Sequence, residues 1–498
     1  MSVPPGDSTS RPATGSRPPN VVLVVLDTAR KASVTPETMP MLCRLADAGT
    51  SFERAYATAP WTVPSHASLF TGTETATHGT HGGNPFLDVE FRTLAEAFRD
   101  AGYDTTGVSN NTWITEEFGF DRGFDTLRRG WQYLQSDVDM GTVVRGEDRR
   151  EKLIATRHRL FEGNPLVNLA NVCYSEFLQP AGDDGAARTT SWLSDWLEHQ
   201  DDRPFFLFCN YIEPHIPYDP PRAFAEAFLP DGWTVDEALA LRQDPRAYDC
   251  EDYQLSPAEF AALEGLYRGE LAYVDRHLRE LCQALSVTGH WDDTILVVCG
   301  DHGENIGDHG FFGHQYTLYG TVLHVPLVFY GGPFTGGVRR SDLVSLLDLP
   351  TTLLEVAGID DPTFARQQEG QSMLEVDART SRDAVFAEYV SPQPSIERLE
   401  ARFGTLPEHV YRYDRRLRTI RTDRFAYVCG DDGFERLHDL ETDPDELVDV
   451  SEDEPEHARR LRRRLESHFG PFETLERAAP EREMRPGTKD RLASLGYL

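Results

Sequence analysis

Two apolar runs, each followed by an aspartate, most constrain the fold of this chain. Residues 21–26 precede Asp27, and residues 294–300 precede Asp301. Strands without polar alternation are typical of a parallel sheet that is covered by helices on both faces. In open sheets of this kind, ligands bind beyond the carboxyl ends of the strands. The sequence therefore predicts an α/β fold with a pair of carboxylates at one edge of the sheet, although either aspartate alone is also typical of a helix cap or a turn.

Residues 62–66 (Thr-Val-Pro-Ser-His) carry a hydroxyl close to the start of a predicted helix. Pro64 fixes its own φ and disfavours the α conformation in the residue before it, so we expect the helix to begin at or just after Pro64, with Ser65 as its cap. Thr62 would then lie just before a helix N-terminus, where free N–H groups and the helix dipole favour an anion. The alternative is a simple Thr-Pro turn with a capping serine.

These motifs together resemble the sulfatase family of the alkaline-phosphatase-like superfamily, over roughly residues 19–450. The family begins its active-site pentad, C/S-x-P-S-R, with a residue that is oxidised to formylglycine. Thr62 stands at that position here, and His66 stands at the closing arginine. The resemblance implies a large mixed, mainly parallel sheet between helices, with a small C-terminal α+β subdomain. We expect a catalytic domain (residues 19–375) and a C-terminal subdomain and tail (residues 376–498), preceded by residues 1–18, whose Pro, Ser, Thr and Gly content predicts a disordered tail.

The resemblance also implies a divalent metal ion bound by Asp27, Thr62, Asp301 and His302. A set of carboxylate and imidazole ligands suits Mn²⁺ or Zn²⁺ somewhat better than an all-oxygen Ca²⁺ site. Mg²⁺ and Ca²⁺ remain open alternatives, as does the number of ions.

Two histidines match positions that contact the ester in the family. His215 lies in a P-H-x-P element, and His314 follows a glycine where the family has Gly-Lys. We expect one of them to protonate the leaving group and then to activate water, steps that typically contribute 10²–10⁴-fold each. The alternative for each histidine is an ordinary packed or metal-bound imidazole.

The cationic residues that bind sulfate in the family are largely missing from this chain. The G-K-W-H-L-G element is absent, and Asn110 and Asn111 lie in its region. Together with His66, these two asparagines are the predicted substrate contacts, since amide donors also bind anions. A simple turn after a strand is the alternative interpretation of the Asn-Asn pair.

The threonine at the nucleophile position decides the predicted chemistry. A formylglycine hydrate expels sulfate by elimination, whereas an ester on Thr62 must be opened by water attacking the transferred group. This favours phosphate mono- or diesters over sulfate esters, from a small-molecule or glycan substrate. A transferase that passes a phospho-group to an acceptor hydroxyl, and a non-catalytic binding protein on the same scaffold, are the alternatives.

Composition predicts the cellular setting. The formal net charge is -33, and only three of the 49 Lys+Arg residues are lysine, which favours a halophilic protein and gives no electrostatic reason for nucleic-acid binding. Three features of the sequence predict a cytoplasmic protein. The seven cysteines are scattered singly, the N-terminus has no apolar signal segment, and no run of residues matches a membrane span. The oligomeric state is left open.

Overall fold

The computed structural model describes residues 17–136, 164–177, 181–374, 382–472 and 482–494. The predicted disordered tail lies almost entirely outside these residues, and so does the predicted domain boundary after residue 375. In the part of the chain that the structure describes, no helix is long and apolar enough to cross a membrane.

The strands follow the chain in this order: β1 (Asn20–Leu26), β2 (Thr50–Tyr56), β3 (Asp104–Ser109), β4 (Thr126–Arg129), β5 (Phe205–Tyr211), β6 (Thr294–Gly300), β7 (Asn305–Ile306), β8 (Phe312–Gly313), β9 (His324–Val325), β10 (Leu327–Tyr330), β11 (Val338–Ser345), β12 (Val385–Tyr389), β13 (Leu417–Arg421), β14 (Phe425–Gly430) and β15 (Glu435–Asp439). The two apolar runs of the sequence are therefore strands, as predicted.

The α-helices are α1 (Pro40–Ala48), α2 (Thr62–Thr71), α3 (Thr75–His78), α4 (Leu94–Asp100), α5 (Pro165–Phe177), α6 (Ala186–Leu197), α7 (Arg222–Phe228), α8 (Val235–Leu239), α9 (Pro245–Asp249), α10 (Pro257–Val287), α11 (Gly320–Leu323), α12 (Asp348–Val356), α13 (Pro362–Gln367), α14 (Ile396–Phe403), α15 (Pro455–Phe469) and α16 (Pro486–Ser494).

The large sheet is mixed and mainly parallel, as predicted. Its strand order is β11-β2-β10-β6-β1-β5-β3-β4, with β9 paired to β2. Strands β6, β1, β5, β3 and β4 run parallel to one another, and β10 runs antiparallel to its neighbours β6 and β2. The carboxyl ends of these five parallel strands therefore meet at one edge of the sheet.

Both faces of β1 are covered by helices. Val21, Leu23 and Val25 lie in one apolar cluster, which includes side chains of α2, α4 and α12. The alternate residues of β1 lie in a second cluster, formed with α1, α6 and α10. Full burial of a Val or Leu side chain contributes about 1.5–3 kcal/mol, which explains why this strand lacks polar alternation.

The C-terminal part is a small α+β unit packed on the larger one. Strands β12 to β15 form an antiparallel sheet in chain order. One face of this sheet contributes Leu417 and Val428 to the core that contains α2, and the other face packs against Leu461 and Leu465 of α15. This agrees with the predicted fold class.

Helix α2 begins earlier than the sequence predicted. It starts at Thr62, and Pro64 occupies its third position. A proline fits there because the first N–H groups of a helix have no intrahelical acceptor to lose. The prediction that Ser65 caps the helix is wrong, because Ser65 lies inside the first turn and its Oγ donates to the backbone oxygen of Asp301 at 2.6 Å.

Candidate active site

The carboxyl edge of the large sheet brings together side chains that are far apart in sequence. Strands β1 and β6 pair in register up to Leu26 and Gly300, so Asp27 and Asp301 follow neighbouring strands at the same level. The backbone N–H of Thr28 donates to Oδ1 of Asp301 at 3.2 Å, which ties the two strand ends together.

Asp27, Asp301 and His302 form a compact cluster of ligand-type atoms. One ligand atom from each residue lies within 4.8 Å of the others, and all three side chains are fully buried. His302 Nε2 lies 3.7 Å from Oδ1 of Asp27 and 3.5 Å from Oδ2 of Asp301. Within the described residues, no other group of three or more His, Cys, Asp or Glu side chains meets this geometry.

The electrostatics of this cluster fit a bound divalent cation. Oδ1 of Asp27 and Oδ2 of Asp301 have no hydrogen-bond partner among the described residues. Burial and the neighbouring Asp301 carboxylate raise the pKa of Asp27 well above its usual value, and burial raises the pKa of Asp301 to about 6. Burial lowers the pKa of His302 to about 4, so its imidazole is neutral and able to ligate at neutral pH. A cation here would compensate two carboxylates that otherwise repel each other.

Thr62 places its hydroxyl beside this cluster. Oγ1 lies 3.3 Å from Nε2 of His302 and 3.4 Å from Nδ2 of Asn111. Because Thr62 is the first residue of α2, its Oγ1 lies at the N-terminal end of that helix, where the helix dipole is positive. The hydroxyl, the imidazole and the carboxylates thus share one buried site.

Asn111 links the cluster to the end of β3. Its Nδ2 donates to Oδ2 of Asp27 at 2.6 Å, and its Oδ1 accepts from the backbone N–H of Trp113 at 2.9 Å. The bond to Trp113 fixes which end of the amide faces the site, so that a donor points at Asp27 and Thr62.

His66 and Asn110, the other two predicted substrate contacts, have polar partners within the protein. Nδ1 of His66 lies 3.0 Å from the backbone oxygen of Thr62 and 3.4 Å from Oδ2 of Asp301. Oδ1 of Asn110 accepts from the hydroxyl of Thr189 in α6 at 3.0 Å. A direct contact of either residue with substrate stays a prediction.

The two predicted acid–base histidines lie next to each other beside the cluster. The ring centroids of His215 and His314 are 5.1 Å apart, and those of His314 and His302 are 4.5 Å apart. Burial is the main reason why the pKa of His215 is lowered to about 3. Burial is also the main reason why the pKa of His314 lies well below its usual value. Both rings are therefore neutral at neutral pH.

Glu304 is a site residue to which sequence reasoning gave no role. Its Oε1 lies 3.0 Å from Nδ1 of His314, and both side chains are buried. A carboxylate on one ring nitrogen sets the tautomer, and the other nitrogen, Nε2, is buried without a hydrogen-bond partner among the described residues. The sequence offered one signal, since Glu304 lies only two residues after His302 in the segment that follows β6. The fold of the loop between β6 and β8 is what brings His314 to it.

A family model described as "Sulfatase" matches residues 19–359, more than two thirds of the chain. The chain belongs to the sulfatase family. A second model, "N-sulphoglucosamine sulphohydrolase, C-terminal", matches residues 307–470. The family assignment makes the protein a hydrolase of ester bonds, and sulfatase-family enzymes depend on a metal ion, in agreement with the Asp27–Asp301–His302 cluster.

Individual sulfatase-family proteins are similar to this chain over most of their length. An arylsulfatase of Clostridium perfringens is 26% identical over 87% of this chain and 90% of its own. A choline-sulfatase of Rhizobium meliloti is 24% identical over 83% of this chain and 77% of its own. The crystal structure of a phosphonate monoester hydrolase of Agrobacterium radiobacter superposes with a TM-score of 0.67 and 23% identity, over 90% of this chain and 95% of that one. This last likeness shows the shared fold.

Proposed function

We propose that this sulfatase-family hydrolase cleaves phosphate mono- or diesters and that Thr62 is its nucleophile. The observation that carries the proposal is the position of Thr62 Oγ1, 3.3 Å from His302 Nε2 at the start of α2. The similar proteins include an arylsulfatase and a choline-sulfatase, and the similar solved structure is that of a phosphonate monoester hydrolase. Sulfur and phosphorus esters are thus both represented among them.

The side chain of threonine favours phosphorus. Where the family uses formylglycine, the sulfate ester of the aldehyde hydrate breaks down by elimination, and the aldehyde is regenerated. A threonine ester has no second hydroxyl on the same carbon and cannot leave in this way. Its adduct is opened when water attacks the transferred group, which is the usual second step of a double displacement at phosphorus.

Asp27, Asp301, His302 and Thr62 are the residues that would hold the metal ion. When bound, a divalent cation favours the alkoxide form of the hydroxyl and neutralises charge on the oxygens of the ester. Asn111 supports the same ionisation, because its Nδ2 faces Thr62 Oγ1 at 3.4 Å and donates to Asp27. The ring of His66 lines the same carboxylate, with its Nδ1 3.4 Å from Oδ2 of Asp301.

The proton transfers fall to the two neighbouring histidines. In the first step the Thr62 hydroxyl gives its proton to His215 or His314 and its Oγ1 bonds to phosphorus, while the bond from phosphorus to the leaving oxygen breaks and the imidazolium passes the proton to that oxygen. In the second step the same imidazole takes a proton from water, the water oxygen bonds to phosphorus, and Thr62 Oγ1 is released and recovers the proton from the imidazolium. Both rings are neutral in the free enzyme, and the negative charge of an arriving phosphate favours their protonated form. Glu304 is placed to hold the ring of His314 in one tautomer.

The test is a comparison of three substrates with the purified protein. The initial rates of 4-nitrophenyl sulfate, 4-nitrophenyl phosphate and bis(4-nitrophenyl) phosphate are measured with each of Mn²⁺, Zn²⁺, Mg²⁺ and Ca²⁺. The assay contains salt at molar concentration, because the net charge of -33 predicts a halophilic protein. We expect kcat/KM to be highest for a phosphate ester and to vanish in Thr62→Ala. A clear preference for the sulfate ester would contradict the proposed chemistry.

A further inference from the structure

The C-terminal helix α16 lies beside the turn that carries Asn111. The Nε of Arg491 donates to Oγ1 of Thr112 at 2.7 Å. The guanidinium carbon of Arg491 also lies 4.4 Å from the ring centroid of Trp131, so the side chain is held between a hydroxyl and an aromatic face. Arg491 is buried, with 7% of its surface exposed.

Further contacts fix α16 against the same segment. Leu492 is fully buried in the apolar cluster that contains Trp113. The hydroxyl of Thr488 donates to the carboxylate of Glu117, and so does the backbone N–H of Arg485. The helix therefore contacts both Thr112 and Glu117, on either side of a short stretch that begins next to Asn111.

The conformation of this stretch sets the direction of the Asn111 amide. Trp113 N–H donates to the side-chain oxygen of Asn111, and Ile114 N–H donates to its backbone oxygen at 3.2 Å. On the other side, the N–H of Asn111 donates to Oγ of Ser109 at 3.1 Å. A shift of Thr112 would move the two N–H groups that follow it, and Nδ2 of Asn111 would then turn away from Asp27.

We infer that Arg491 is a positioning residue for the active site and that it acts through Thr112 on the Asn111 amide. The contacts described for its side chain are with Thr112 and Trp131 and not with a proposed reacting atom. Its effect is to keep the turn after β3 in the one arrangement that points Nδ2 at Asp27 and Thr62. The kinetic consequence rests on the proposed function, whereas the structural consequence does not.

The kinetic test removes each partner of the contact. Misplacement of a site by about 1 Å costs up to about 10²-fold in rate, so we expect Arg491→Ala to lower kcat for 4-nitrophenyl phosphate by about 10- to 100-fold, with little change in KM. Thr112→Val keeps the shape of the side chain and removes the acceptor, and it should lower kcat to the same extent. The double variant should be no slower than either single variant, because both changes break the same contact. Arg491→Lys keeps a cationic donor and should recover part of the loss.

Lys489→Ala is the matched control. It removes an exposed cation from the same helix, and kcat should stay at the wild-type value. Thermal melting of each variant in the full chain separates a local effect from loss of the fold.

Amide hydrogen exchange gives a readout that does not need turnover. Exchange over residues 109–118 should be faster in Arg491→Ala and Thr112→Val than in the wild type, and unchanged in Lys489→Ala. If the wild-type protein hydrolyses none of the three esters, the proposed function fails while the exchange experiment still decides the positioning role. Wild-type exchange in both variants would overturn the inference, and so would kcat losses that multiply in the double variant.

Discussion

The hydrogen bond from Asn111 to Asp27 makes a sharp prediction about activity. Replacing Asn111 with alanine removes a donor at 2.6 Å from Oδ2 of Asp27 and at 3.4 Å from Oγ1 of Thr62. A hydrogen bond to a charged group contributes about 1.5–3 kcal/mol, and each 1.4 kcal/mol is about a factor of ten in rate. If that free energy is lost from the transition state, kcat should fall by about 10- to 150-fold. The affinity for the metal ion should fall as well, since Asp27 loses the group that orients it.

The assay is steady-state kcat for 4-nitrophenyl phosphate at saturating metal, together with a metal titration and a thermal melt. Asn20→Ala is the matched control, because Asn20 is also a buried asparagine with a side-chain hydrogen bond, to the N–H of Phe205, but lies at the opposite end of β1. The control should lose stability and keep kcat. Wild-type kcat in Asn111→Ala, or an equal loss in both variants, would refute this account of Asn111.

Two further predictions concern the metal cluster and the dependence of stability on pH. Asp301→Asn should abolish turnover and lower the metal content of the purified protein, since it removes one of the two carboxylates from the cluster. Elemental analysis measures the metal content. Asp308→Asn changes an aspartate outside the cluster, and this variant should keep its metal. Asp275 accepts from the N–H groups of Met41 and Leu42, and burial raises its pKa to about 6 from a usual value of 3.8. The folded state therefore binds this proton more tightly than the unfolded chain, so the contribution of Asp275 to stability is greatest below pH 4 and declines as the pH rises to about 6. Relative to Asp275→Asn, the wild type should lose up to about 3 kcal/mol of unfolding free energy between pH 4 and pH 7 in denaturant titrations. If the difference in unfolding free energy between the two proteins did not change with pH, the prediction would be wrong.

The parts of the site that lie on strand ends could be predicted from sequence. Parallel strands fix the level of the residues that follow them, so two apolar runs that each end in aspartate place Asp27 and Asp301 side by side. The family resemblance added Thr62, which begins the pentad at residues 62–66, and His302, which follows Asp301. The predicted start of α2 was two residues too late, because a proline is tolerated at several positions of a first helical turn.

Contacts that depend on the path of loops could not be predicted. Asn111 was predicted to contact substrate, which stays a prediction, whereas the contacts of its amide with Asp27 and Thr62 were not predicted. The pairing of Glu304 with His314 depends on the loop between β6 and β8. Arg491 and Thr112 are separated by 379 residues in the sequence, and no sequence pattern around Arg491 predicts their contact. In each case the partner is set by tertiary packing, which leaves no pattern in the local sequence.

If Thr62 carries the transferred group, the covalent adduct on its Oγ1 can be trapped during turnover. The wild-type enzyme is mixed with excess 4-nitrophenyl phosphate, quenched in acid within a turnover and digested, and the peptide that contains Thr62 is analysed by fragmentation mass spectrometry. We expect a phosphoryl group on Thr62, a higher yield of it in His215→Ala or His314→Ala if that histidine activates the second-step water, and no turnover in Thr62→Ala. An unmodified Thr62 peptide together with undiminished turnover in Thr62→Ala would mean that the attacking oxygen comes directly from water and that Thr62 is not the nucleophile.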